Sequence, residues 1–172
     1  MYEFRPQRTN NKAQKLIILL FAGAAVLFLL TVPLDGLPFL WVIQLLALIM
    51  LVAAIFLVTR YVTKTYEYAV TSAEGDADLT VTEISSGGKR RITVCRISLS
   101  GIVSVRCVDS SDERFRAQRR SGGKIYDYRP DLSPERSVLI EAKEGGEELR
   151  ILLAYGEDFF DILERNINGR NI

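Results

Sequence analysis

Two uncharged apolar runs near the N-terminus constrain this chain more than any other feature. Between Lys15 and Arg60 the only charged residue is Asp35. Residues 16–32 read LIILLFAGAAVLFLLTV and residues 38–58 read PFLWVIQLLALIMLVAAIFLV, the first at the short end of what spans a bilayer and the second comfortably long enough. The connecting Pro33-Leu34-Asp35-Gly36-Leu37-Pro38 joins two prolines to an Asp-Gly pair, a combination that stops helices and favours a turn. The pattern predicts a transmembrane hairpin over residues 16–58, with helices at 16–32 and 38–58. A cleaved leader followed by one anchor fits less well, because the first run is long for a leader and no small-x-small cleavage site follows it.

Flanking charge gives the expected orientation. Arg5, Arg8, Lys12 and Lys15 precede the first run, Arg60 and Lys64 follow the second, and the turn between has no Lys or Arg. The positive-inside rule then predicts a multi-pass protein of the cell (plasma) membrane, with a basic N-terminal segment over residues 1–15 and both termini in the cytoplasm. Trp41 belongs near the outer interface and Tyr61 near the inner one. Gln44 is the only strongly polar side chain of the second run, and a hydrogen bond to a neighbouring helix is its simplest use.

Composition narrows the chemistry. The chain has no histidine, and Cys95 and Cys107 lack metal-ligand spacing, so no catalytic or metal constellation emerges and no cofactor motif is present. The reading is non-enzymatic, with no cofactor. Cys95 and Cys107 lie equidistant from Gly101, so a regular hairpin turning there would set them face to face. In a cytoplasmic domain they are expected as free, buried thiols. Glu141, Glu144, Glu147 and Glu148 read as a solvated hairpin, and Tyr126 and Tyr128 as residues of a sheet edge. From residue 60 onward 18 Lys+Arg face 19 Asp+Glu, which argues against a nucleic-acid partner.

The remainder, residues 60–172, alternates with period two between Gly-rich turns. Strands are expected at 65–71, 79–84, 91–97, 102–108, 124–128, 138–142 and 149–153, the last two joined at Glu144-Gly145-Gly146-Glu147. Along 102–108 the alternation sets Val103, Val105 and Cys107 on one face. Residues 157–167 form an amphipathic helix with Phe160, Leu163 and Ile167 on one stripe and Phe159 and Ile162 beside it.

Seven strands and a closing helix, behind paired hydrophobic helices, resemble the bacterial pleckstrin-homology-like (PH-like) membrane proteins. The residues that carry the resemblance are Tyr66-Glu67-Tyr68-Ala69-Val70-Thr71, the run from Lys89-Arg90-Arg91 to Gly101-Ile102, and Glu157-Asp158-Phe159-Phe160-Asp161-Ile162-Leu163. The resemblance implies an all-β PH-like barrel or sandwich of about seven strands with a C-terminal capping α-helix. In phosphoinositide-binding PH domains the first hairpin is basic. Here it carries Glu74, Asp76 and Asp78, so inositol-phosphate binding is not carried over.

The expected function is a non-enzymatic, membrane-tethered module that binds a protein partner or the inner membrane surface. The alternative is a component of a small transporter or channel assembled through the hairpin as a homo-oligomer. If the strands form a meander, the second and fourth connections lie at the end where the chain arrives from the membrane. Those connections carry Lys89, Arg90 and Arg91, and Arg114, Arg116, Arg119 and Arg120, which become the candidate residues facing anionic lipid headgroups. Glu74, Asp76 and Asp78 then lie at the far end.

Overall fold

The structure, a computed structural model, describes residues 2–8, 11–33, 39–72, 77–85, 87–112, 124–144 and 146–168. The chain divides into two compact units, Asn10–Lys64 and the combination of Met1–Thr9 with Thr65–Ile172.

The first unit is a pair of helices, α1 (Lys12–Leu30) and α2 (Leu40–Tyr61), both long and apolar enough to cross a membrane. Ala13, Ile17, Leu20, Ala24 and Leu27 of α1 and Ile43, Ala47, Met50, Ala54 and Leu57 of α2 form a buried or half-buried seam. Their alternating spacing of four and three is that of helices packed in a left-handed pair. Small side chains let the backbones approach closely. At Gly23 an added Cβ would meet the Met50 methyl at 2.5 Å. The outward faces stay apolar, with Ile18, Leu29, Leu46 and Phe56 all exposed. Pro33 ends the described part of the connecting turn, and Asp35 and the rest of that turn lie outside the described residues.

The second unit holds two four-stranded sheets. β1 (Tyr2–Phe4), β2 (Lys64–Ser72), β3 (Ala77–Ser85) and β4 (Arg90–Ser98) form one sheet in that order. A short 3-10 turn, Leu99–Gly101, begins at Ser98, whose Oγ accepts the Ser100 amide. It leads into β5 (Ile102–Asp109), β6 (Ile125–Asp127), β7 (Arg136–Glu144) and β8 (Glu147–Ala154), arranged β5-β7-β8-β6. The chain closes with α3 (Glu157–Asn168).

Period-two alternation builds the core. Tyr66, Tyr68, Leu79 and Val81 of one sheet meet Val138, Ile140, Ile151 and Leu153 of the other, with Phe159 and Leu163 of α3 completing the cluster. Tyr68 ties the layers together: its hydroxyl donates to the Tyr128 carbonyl at 2.8 Å and accepts the Ala154 amide at 3.1 Å. Burial pushes this phenol well above its ordinary pKa, so it stays a neutral donor and acceptor.

All seven expected strands and the closing helix are present, but five expectations change. The N-terminal segment is not a separate basic tail, since Tyr2, Glu3 and Phe4 pair antiparallel with Val70, Ala69 and Tyr68. The strands are not one meander: β4 and β5 belong to different sheets, and β6 runs parallel to β8 at the edge opposite β5. Cys95 and Cys107 therefore do not face each other. Cys95 pairs with Val81, Cys107 pairs with Val138, and both thiols are free. Cys107 is exposed rather than buried, its pKa pushed up by what desolvation it has and then by Asp109. Finally, an irregularity between Ile102 and Ser104 breaks the alternation of β5, so Val103 is 60% exposed while Ile102 and Val108 are buried.

Candidate functional site

The candidate site grows from the register of the first sheet. The Thr65 hydroxyl donates to the Ile84 carbonyl at 3.2 Å, and Ser85 pairs with Arg90. The β3–β4 turn thus lies at the end of the sheet where β2 begins. Gly87 and Gly88 hold that turn with φ of 66° and 92°, values that favour glycine over any residue with a Cβ. Lys89, Arg90 and Arg91 follow directly, all exposed. Among the described residues Lys89 and Arg90 have no carboxylate within ion-pairing distance.

β1 brings further charge to this end. It is antiparallel to β2, so the chain leaving Phe4 runs back toward the start of β2 through Arg5, Pro6, Gln7 and Arg8. Arg5 donates to Glu67 at 2.9 Å, and Arg91 approaches the second oxygen of the same carboxylate at 3.8 Å. Glu67 is only 6% exposed. A carboxylate so withdrawn from water needs cationic partners. It gets one from the N-terminal segment and one from the β3–β4 hairpin, fastening both to β2. Arg91 is therefore partly committed inside the domain, while Lys89 and Arg90 are not.

Both connections from this unit to the helices leave at the same junction end. One leaves through Arg8 toward α1, and the other arrives through Val62 and Thr63 into Lys64. Arg5, Lys89, Arg90 and Arg91 lie at this end of the sheet, with Glu67 and Glu83 as its acids. Arg114, Arg116, Arg119 and Arg120 lie outside the described residues, as do Glu74 and Asp76. The expected place of the four arginines at the junction end required a meander, which these strands do not form: β5 and β6 lie at opposite edges of their sheet. Asp78, counted with the acidic far end, is neutralised by Arg96, whose Nε and Nη2 both reach one oxygen at 2.9 and 2.7 Å.

The remaining candidate groups are structural. Glu141 accepts from Ser104 and Arg106, each at 2.8 Å. Tyr126 and Tyr128 stack with centroids 6.5 Å apart. A cleft of about 400 Å³ is lined by Arg5, Arg129, Arg136, Asp131 and Tyr155. Its arginines are matched by acids: Arg129 chelates Asp127, Arg5 meets Glu67, and Arg136 lies 3.8 Å from Asp109. The cleft is charge-balanced, unlike the junction end.

No protein-family model, curated protein or solved structure matches this chain. The functional reading rests on its own residues.

Lys89, Arg90 and Arg91 stand out in the sequence, whereas Arg5, which shares Glu67 with Arg91, does not. The missed signal was Tyr2-Glu3-Phe4, an apolar-polar-apolar triplet too short to stand out as a strand before its partner is known.

Proposed function

We propose that this chain is a non-enzymatic, membrane-tethered module of PH-like architecture, held on the cytoplasmic face of the plasma membrane with its basic end against anionic headgroups. The observation that carries the reading is the junction end itself. The chain leaves β1 and enters β2 at the end of the first sheet that carries Arg5, Lys89, Arg90 and Arg91. Only Val62 and Thr63 separate α2 from β2, a covalent reach of at most about 11 Å. A basic group kept that near an anionic leaflet gains about 1 kcal/mol, within a Debye length of about 8–10 Å. Ion-paired Arg5 and Arg91 contribute less than Lys89 and Arg90. The opposite end and the faces of the sheets are left for a protein partner.

The same reading holds that α1 and α2 both cross the bilayer and that α1 is retained. β1 precedes α1 and pairs with β2, which follows α2, so two crossings return the chain to the face it started from. Removal of α1 as a leader would take β1, Arg5 and the Phe4 ring with it. Paired sheets and a helix burying Phe159 and Leu163 support the PH-like comparison. β1, contributed from ahead of the hairpin, is the departure from it.

The test uses the full chain in lipid nanodiscs. Hydrogen exchange over residues 87–91 should slow severalfold in anionic discs relative to neutral ones. Salt near 1 M, where the Debye length falls to about 3 Å, should remove the difference. So should replacing Lys89 and Arg90 with Gln. Equal exchange in both lipids would refute the docking.

A further inference from the structure

Gln44 places an unsatisfied polar group on an apolar surface. It is exposed on α2, and among the described residues its carboxamide has no hydrogen-bond partner. At 1.5 Å per residue it sits about 6 Å from the first residue of α2, roughly one turn inside a helix of about 33 Å. On the membrane reading proposed above, on which this inference rests, that depth falls within a hydrocarbon core of about 30 Å. An amide there has no water to turn to.

The surface around it is a groove. Phe21, Ala24, Ala25 and Phe28 of α1 and Gln44, Ala47, Leu48 and Leu51 of α2 enclose about 620 Å³ along one side of the hairpin. On each helix the lining follows i, i+3, i+4, i+7, the face a helix offers to a helical partner. The alanines form the depression, and the two phenylalanines and two leucines form the ridges beside it.

We infer that the groove receives the same groove of a second copy, with the two Gln44 carboxamides hydrogen-bonded across a two-fold axis. Three arguments favour this occupant. A carboxamide carries both a donor and an acceptor, so it is complementary to itself, whereas an acyl chain offers it nothing. Ridges and depression occur on one surface, as a self-complementary interface between identical chains requires. Close approach over alanines, supported by an interhelical amide pair, is how helices associate where the hydrophobic effect gives no preference.

Disulfide trapping of the full chain in native membranes tests this, with Cys95 and Cys107 replaced by Ser. Ala25→Cys and Leu48→Cys, on the groove side, should form a species of twice the chain mass. Leu46→Cys, 50% exposed on the opposite side of α2, should not. Adding Gln44→Leu should lower the trapped fraction roughly fivefold, and Gln44→Asn should restore most of it. Equal trapping at Leu46→Cys and Leu48→Cys, a trapped species of another mass, or indifference to Gln44→Leu would each overturn the inference. Carbonate washing of each variant reads insertion separately. Protein that leaves the membrane refutes the tethering, and protein that stays without trapping refutes only the pairing.

Discussion

Gly156 has no room for a side chain. A Cβ there would run into the Phe4 ring, which stacks on Phe159 at 5.4 Å with an interplanar angle of 12°. Gly156→Ala should therefore destabilise the domain by about 1–3 kcal/mol, the usual range for overpacking. The cost should shrink toward zero once Phe4→Ala has removed the ring, which a double-mutant cycle on thermal unfolding of the full chain would detect. Additive losses would mean that Phe4 does not sit on Gly156. Glu67 shows why such contacts escape local reading. Between Tyr66 and Tyr68 it reads as an outward, solvated position, and it does point away from the core. Its ion-pair partners are Arg5 and Arg91, both remote from it in sequence. No period-two pattern encodes partners of that kind.

At the scale of elements, α3 is held by few side chains. Phe159 and Leu163 are fully buried, while Phe160 and Ile167 are only partly so. Leu163→Ala should cost about 2–5 kcal/mol. Exposed Asp161→Ala, its control, should stay within about 0.5 kcal/mol. Equal melting of the two variants would mean that the helix does not seal the core. The helices and seven strands were legible because each has a period, of 3.6 or 2, sustained over several residues. The expected stripe led with Phe160, yet the neighbouring Phe159 is the ring that goes inside, a rotation that one helix's spacing cannot settle. The parallel pairing of β6 with β8 was likewise beyond alternation, which records which face a residue takes but not which strand lies beside it. The irregularities at Val81/Thr82 and Ile102/Ser104 shift the alternation within single strands and hid the exposure of Val103.

For the whole molecule, the candidate site was legible in part. The run Lys89-Arg90-Arg91 is plain in sequence, and its place at the junction end followed from the β2–β3–β4 order. Arg5 reaches the same end only through β1, and the extension of the site to Arg114–Arg120 assumed a meander the strands do not form. The proposed topology predicts a labelling pattern. Asp35→Cys should react with a membrane-impermeant maleimide in intact cells. Native Cys107, which is exposed, and an Arg8→Cys variant should react only after permeabilisation. Labelling of Cys107 in intact cells would place the domain outside and overturn the proposal.

The pairing of β1 with β2 also imposes an order in time. Phe4 is made 155 residues ahead of Phe159, on which it stacks. At roughly 5–20 residues per second, that wait is on the order of ten seconds. On the proposed topology the aromatic triplet must stay throughout on the side of the membrane where the domain will assemble, while both apolar helices are threaded into the lipid. On that topology insertion precedes completion of the fold, and a molecule whose β1 strays across the bilayer loses a strand it has no second chance to acquire.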